Sequence, residues 1–274
     1  MSDTLVAMGV AACATVMIVW LRYLLVSGFF AFVTRRKRPG LYDRMAVQIR
    51  MEIMWSTLSA VIYGLPAGVV LWLWASGTGS AIYLDAAEYP WWWLVAAPIV
   101  YLLIHDAWFY WSHRLMHVPA VYRACHYVHH RSHPPTAWAA MSFHWTEALS
   151  GAWLIPVLAL FIPIHVGALG FVMAVMTLFG VTNHMGWEIW PRWMVHGRLG
   201  GLIITATHHD NHHRKNKGNY GLYFRFWDRL CGTDVGFSRF GADRPDRRRH
   251  EGRGTGPGTS GHVAVDDNDR RAAQ

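Results

Sequence analysis

Residues 90–117 read PWWWLVAAPIVYLLIHDAWFYWSHRLMH. The first half of this stretch is apolar and opens with three tryptophans, which favour the boundary between lipid and water. Its second half ends in His113 and His117, whose i, i+4 spacing puts both imidazoles on one face of a helix. The stretch therefore predicts a membrane-spanning helix that continues directly into a helix carrying paired histidines.

The composition of the 274-residue chain is that of a membrane protein. Apolar residues make up 53% and charged residues only 15%, whereas a soluble domain carries about 25% charged residues. The net charge of +8 is concentrated at residues 35–38, beside an apolar run, and at residues 247–249. This pattern favours lipid headgroups and disfavours nucleic acid as the partner. The three cysteines lie far apart and predict neither a disulfide framework nor a cysteine metal site.

Because a bilayer span needs about 20 apolar residues, the uncharged stretches predict the membrane helices. Three spans are expected within residues 4–34, 54–76 and 90–104, and residues 149–186 are long enough for a tight helical hairpin. Arg22 interrupts the first stretch, where its long side chain can snorkel to the headgroups, and the sequence leaves its depth open. The prediction is an all-α integral membrane bundle of about four to five transmembrane helices.

The distribution of basic residues orients this bundle. Residues 35–50 carry six Lys or Arg, and the loop at 77–88 carries none, so the positive-inside rule places 35–50 in the cytoplasm. Counting spans then places residues 106–147, and the chain after 186, on the same face. Nearly all the histidines lie there, which predicts a cytoplasmic histidine-rich helical cap on a protein of the bacterial inner membrane or the endoplasmic reticulum.

The same features divide the chain into three predicted regions. Residues 1–89 form the N-terminal membrane helices with their basic cytoplasmic segment. Residues 90–236 hold the histidine clusters and form the predicted catalytic domain. Residues 237–274 are rich in Gly, Arg and Asp and predict a disordered polar tail.

Two further clusters repeat one spacing, i, i+3, i+4, which predicts that the histidines of each cluster share one helical face. Together with the first pair, they supply at least eight imidazoles on one predicted membrane face, more than the four ligands of a zinc site. They favour a site for two metal ions with open positions. Imidazole accepts zinc, copper, iron and nickel, so the ligand type alone does not choose the metal. The two clusters are His126, His129 and His130, and His209, His212 and His213.

These clusters and their surroundings resemble the histidine motifs of the fatty acid hydroxylase and sterol desaturase superfamily. The three motifs are matched by the runs at 105–117, 126–130 and 209–213. Further similarity lies in Asn219-Tyr220-Gly221, in Trp227-Asp228-Arg229 and around Phe143-His144-x-x-Glu147, particularly to the branch with lathosterol oxidase and alkylglycerol monooxygenase. The resemblance covers residues 90–236.

The resemblance implies a di-iron centre, O₂ as co-substrate, and hydroxylation or desaturation of a lipid such as a sterol, fatty acyl or sphingoid chain. Electrons are expected from a separate donor, a cytochrome or a ferredoxin with its reductase. His184 matches a further family histidine and is expected to be a metal ligand. The resemblance implies eight other ligands, which are also the expected catalytic residues: His113, His117, His126, His129, His130, His209, His212 and His213.

Some polar residues near these motifs have open roles. His208 lies i, i+4 from His212 and competes with His209 as a ligand, and His105 and His144 are placed outside the first ligand set. A ligating imidazole usually passes its other N–H to a carboxylate or carbonyl, and the alternative role for a carboxylate here is surface salt bridging. The carboxylate candidates are Asp106, Glu147, Asp210 and Asp228.

A histidine-rich membrane protein that binds or transports metal is the alternative to an oxygenase. Transporters place their ligands near the bilayer midplane. The first two predicted spans contain no His, Asp or Glu between residues 4 and 34 or between 54 and 76, which weighs against transport.

Overall fold

The computed structural model describes residues 2–198 and 200–237. In this part of the chain, four helices are long and apolar enough to cross a membrane. They are α1 (Ser2–Lys37), α2 (Ala46–Ala75), α3 (Trp91–Met116) and α8 (Val166–Asn183). The prediction of an all-α membrane bundle with four to five spans is confirmed. The predicted polar tail lies outside the described residues, except for Phe237.

The first two helices form an antiparallel pair that depends on glycine. A Cβ atom added at Gly64 would lie 2.5 Å from Cα of Val16, and one at Gly68 would lie 2.5 Å from Cα of Ala12. The Thr15 hydroxyl donates to the Gly64 carbonyl at 2.7 Å. The backbones therefore approach as closely as small residues at membrane helix interfaces allow.

The predicted hairpin differs from expectation in its first arm. That arm is broken into two short helices, α6 (Trp145–Ala152) and α7 (Leu154–Phe161), and no single span forms there. Pro156 has no N–H to donate to the carbonyl four residues earlier, at Ala152, which is the last residue of α6. The second arm is α8, which is a continuous helix as predicted.

The turn of this hairpin lies beside the loop that follows α2. Strand β1 (Ile82–Tyr83) pairs in parallel with β2 (Ile164–His165). The Trp93 indole donates to the Pro163 carbonyl at 2.9 Å, and the Tyr101 hydroxyl donates to the Ile162 carbonyl at 2.8 Å. The sequence predicted residues 77–88 as a loop without secondary structure. This prediction is wrong at Ile82–Tyr83, which form β1.

The opposite end of the bundle carries short helical elements that hold the histidines. A π-helical turn (Tyr122–His126) and a 3₁₀ turn (Ala137–Met141) lie among them. The α-helical elements at this end are α4 (Pro119–Val121), α5 (Tyr127–His130), α9 (Arg192–Val195), α10 (Ala206–Lys215) and α11 (Phe226–Leu230).

Candidate metal centre

Nine buried or half-buried histidines converge at this end of the bundle in two groups. Within each group the nearest ligand atoms all lie within 4.8 Å of one another. They are the nine histidines expected as ligands from the sequence. Group 1 consists of His113, His117, His126, His130 and His212, and group 2 consists of His129, His184, His209 and His213.

Each HxxHH motif contributes to both groups, which corrects the expectation that its histidines share one face. On a helix, residues i and i+4 lie about 40° apart around the axis, whereas i+3 and i+4 lie about 100° apart. In α10, His209 and His213 accordingly point into group 2, while His212 points into group 1. In the motif at 126–130 the assignment is reversed: His126 and His130 point into group 1, and His129 points into group 2. The rings of His130 and His213 lie 4.6 Å apart by their centroids, so the two groups are neighbours.

The proton assignments in group 1 test whether a cation fits. Nδ1 of His113 lies 2.8 Å from the Tyr220 carbonyl oxygen, and Nδ1 of His126 lies 2.8 Å from a Glu147 carboxylate oxygen. The Tyr220 carbonyl can only accept, so Nδ1 of His113 donates, and Nδ1 of His126 donates in the same way when Glu147 is ionised; a neutral imidazole has only one N–H. Their Nε2 atoms face each other as lone pairs at 3.0 Å. With Glu147 ionised, a cation between the two nitrogens would relieve this contact, so group 1 fits a metal ion.

The electrostatic surroundings keep the imidazoles neutral, as metal ligation requires. Burial lowers the pKa of His117 and of His184 to about 4. Burial and then the neighbouring histidines lower the pKa of six others well below 6.5. These six are His126, His129, His130, His209, His212 and His213.

Glu147 is the one carboxylate candidate that contacts a histidine of either group among the described residues. Asp228 accepts the backbone N–H groups of Tyr220 and Gly221, each at 2.9 Å. It therefore holds the loop whose Tyr220 carbonyl orients His113. The sequence suggested a carboxylate near the ligands but gave no sign that it would act through a backbone carbonyl.

The other two carboxylate candidates, Asp106 and Asp210, form no hydrogen bond with a histidine of either group among the described residues. Asp106 accepts the backbone N–H of Tyr223 at 2.9 Å and so holds the same loop. Asp210 forms an ion pair with Arg214 at 2.6 Å, which is the salt-bridging role considered for these residues.

Histidines outside the two groups have local partners. Nδ1 of His208 accepts the Thr205 backbone N–H and completes the N-terminal capping box of α10. His209, not His208, therefore points into the metal centre. His105 hydrogen-bonds the Tyr223 hydroxyl at 3.0 Å, and His144 bonds Thr146 at 2.7 Å.

A cavity of about 170 Å³ reaches both groups from between the long helices. Its wall includes His113 and His126 of group 1 and His129 and His184 of group 2. Most of the remaining wall is apolar and comes from α1, α2, α3, α7 and α8. An apolar lipid segment in this cavity would meet the histidines at its inner end.

Comparison with known proteins places this site in a family. The fatty acid hydroxylase family model matches residues 98–233. A cholesterol 25-hydroxylase-like protein from Danio rerio is 34% identical over 204 residues, which are 68% of this chain and 74% of that protein. The chain belongs to the fatty acid hydroxylase and sterol desaturase superfamily. The predicted resemblance over residues 90–236 is confirmed at the level of the superfamily.

Other superfamily members match with different coverage. A Delta(7)-sterol 5(6)-desaturase from Gibberella zeae is 31% identical over 154 residues, 56% of this chain and 46% of the relative. A lathosterol oxidase from Homo sapiens is 28% identical over 200 residues, 72% of this chain and 65% of the relative. The chain thus spans about half the length of the first of these two relatives. No solved structure matches the chain.

Proposed function

We propose that the chain is an O₂-dependent di-iron oxidoreductase that hydroxylates or desaturates a membrane lipid. The observation that carries the proposal is the pair of lone-pair nitrogens on His113 and His126, 3.0 Å apart, at the inner end of an apolar cavity. The first feature suits a metal cation, and the second suits the hydrocarbon part of a lipid.

In this proposal, group 1 supplies five imidazoles to one iron ion and group 2 supplies four to the other. Imidazole accepts several metals, and superfamily membership is what favours iron. Two bound iron ions would supply the O₂ chemistry that removes hydrogen from an unactivated carbon.

The residues of the chain orient the ligands and the substrate. Glu147 and the Tyr220 carbonyl fix which nitrogen of His126 and of His113 carries the proton, so that Nε2 remains free for the metal. The apolar cavity wall excludes water and holds a carbon of the lipid close to both groups, and positioning of this kind lowers the barrier of the chemical step.

The names of the relatives suggest the substrate class and both reaction types. They include a sterol desaturase, a lathosterol oxidase and a cholesterol 25-hydroxylase-like protein. We infer a sterol or a similar lipid as substrate, with either a new hydroxyl group or a new double bond as product.

The electrons would come from a separate protein, a cytochrome or a ferredoxin with its reductase. The basic segment at 35–50 supports a cytoplasmic position for the histidine end. This is the side on which such donors are found for enzymes of the endoplasmic reticulum or the bacterial inner membrane.

Metal transport is less well supported. A transporter needs ligands along a path through the membrane, but α1 and α2 contain no histidine, and both groups lie at one end of the bundle. The described helices therefore offer no second set of ligands deeper in the bilayer.

The proposal is tested by lipid mass spectrometry under ¹⁸O₂ in the native host lacking the gene. Wild type is compared with a His212→Ala, His213→Ala double variant and with His196→Ala, an exposed histidine outside both groups. We expect one lipid class to gain labelled oxygen, or to lose two hydrogens, with wild type and His196→Ala only. Unchanged lipids in a strain whose wild-type protein has bound metal would contradict the proposal.

A further inference from the structure

Arg22 lies in the wall of the cavity that leads to the two histidine groups. The sequence left its depth in the membrane open. Arg22 precedes the basic residue Arg35 by 13 positions and follows Asp3 by 19, which correspond to about 20 Å and about 28 Å along α1. An arginine side chain does not span the first distance, and Arg22 lines the cavity between the long helices, so the guanidinium lies inside the bundle and does not reach the headgroup layer beside Arg35.

The guanidinium has no partner in the described part of the chain. No acidic side chain lies within ion-pair distance of it, and its Nε atom is buried without a hydrogen-bond acceptor. The nearby acidic residue in the cavity wall, Glu147, is held by His126 at 2.8 Å. A half-buried cation without a counter-ion is costly, because the bundle removes part of its hydration and supplies no partner in exchange.

A second hydrogen-bonding group in the same cavity is also free. Tyr63 lines the cavity, and its hydroxyl would lie 2.6 Å from a Cβ atom built on Gly151, so glycine leaves room for it. Among the described residues this hydroxyl has no hydrogen-bond partner. Arg22 and Tyr63 therefore both line this one cavity.

We propose that Arg22, with Tyr63, binds a carboxylate group on the lipid that enters this cavity. A guanidinium and a phenol offer N–H and O–H donors, so the ligand must supply oxygen acceptors. A hydroxyl group would accept a hydrogen bond but leave the charge of Arg22 uncompensated. A carboxylate supplies both the charge and two acceptor oxygens in the geometry that matches the guanidinium fork.

The proposal deepens the proposed function, because it names an acidic lipid as the ligand of the same cavity. Arg22 and His105 line this cavity together with histidines of both groups. A carboxylate held by Arg22 therefore directs carbons distant from the acid group toward the histidines. Arg22 is a specificity-determining residue in this account and takes no part in the chemical step.

Binding to the purified full-length chain in detergent tests the proposal without turnover. The probes are two matched pairs, palmitic acid with 1-hexadecanol and cholesteryl hemisuccinate with cholesterol. Affinities are measured on both metal-free and metal-loaded protein, so that failure of the iron proposal leaves this readout intact. We expect the acid of at least one pair to bind about tenfold or more tightly than its alcohol, as a charge-assisted contact gives.

The variants are Arg22→Gln and Arg22→Lys, with Arg36→Gln as the matched control on the exposed end of α1. Arg22→Gln is expected to abolish the preference for the acid, Arg22→Lys to retain part of it, and Arg36→Gln to leave it unchanged. Without ligand, Arg22→Gln should also unfold at the same or a higher temperature than wild type, since it removes an unpaired half-buried charge. An arginine with a merely structural role would give a lower unfolding temperature.

Two results overturn the proposal. One is equal binding of acid and alcohol by wild type in both pairs, or tighter binding of the alcohol. The other is an acid preference that survives in Arg22→Gln. If Arg22→Gln does not fold, the comparison of acid with alcohol on wild type still tests the proposal. An acid preference in Arg22→Lys as strong as in wild type would then count against a specific role of the guanidinium.

Discussion

The imidazole of His126 places its Nδ1 atom 2.8 Å from the carboxylate of Glu147. The same ring points its Nε2 atom at His113 and, at 3.1 Å, at His130. Glu147 is buried in α6, so the first arm of the broken hairpin supplies the residue that orients a histidine of group 1. This arm is thus coupled to the metal centre through one side chain.

Replacing Glu147 by alanine is expected to weaken metal binding by group 1 about 10- to 100-fold, because outer partners of ligating imidazoles contribute that much. Glu147→Gln keeps an acceptor oxygen and should fall between alanine and wild type. Metal titration of the purified protein measures both. Glu88→Gln, an exposed change in the loop after α2, is the control, and equal affinity of Glu147→Ala and Glu88→Gln would contradict this role.

The metal-free protein is expected to lose stability as the pH falls below about 6.5. Burial lowers the pKa of His184 to about 4 and that of His208 to about 3, so the unfolded chain binds more protons than the folded chain between these values and 6.5. Each such histidine removes about 1.4 kcal/mol per pH unit within that window. The unfolding temperature of metal-free protein between pH 7.5 and 5 measures the effect.

His208 allows this pH dependence to be checked at a single residue. In His208→Gln the unfolding temperature of the metal-free protein should fall less steeply as the pH is lowered, because one buried histidine no longer contributes. His196→Gln, at an exposed position, should leave this dependence unchanged. An unfolding temperature of metal-free wild type that is constant down to pH 5 would show that these imidazoles are not kept neutral by burial.

The close contact between α1 and α2 predicts a strong effect of one added methyl group. Gly64→Ala places a Cβ atom 2.5 Å from Cα of Val16, and overpacking of this kind costs about 1–3 kcal/mol. Gly170→Ala in α8 meets nothing within 4 Å and is the control. We expect a lower unfolding temperature in detergent for Gly64→Ala alone, and similar values for the two variants would be evidence against the tight pair.

Much of the bundle follows from patterns that the sequence displays. The uncharged stretches predict the four long helices because the bilayer demands apolar length, and the tryptophans at 91–93 mark the start of α3. The sequence did not predict the break at Trp153, because the apolar run continues through this residue. Only Pro156 indicates that a continuous helix cannot form there. The pairing of Ile82 with Ile164 was not predictable, since two-residue strands leave no alternation to read.

For the site, the sequence identified the nine histidines but not their division. The spacing i, i+3, i+4 suggests one face, yet the angle between i+3 and i+4 is large enough to serve two neighbouring groups, as His212 and His213 do. The role of Arg22 depends on which side chains surround it in three dimensions. No local pattern distinguishes an arginine that faces a cavity from one that snorkels to the headgroups.

Counting bound iron shows whether the two histidine groups hold two metal ions. Full-length protein purified from iron-supplied cells is analysed for iron per chain in three forms. They are wild type, a His113→Ala, His117→Ala variant in group 1, and a His209→Ala, His213→Ala variant in group 2. We expect about two iron ions per wild-type chain and about one in each variant. One iron or none in wild type, or the same content in all three folded proteins, would contradict this expectation.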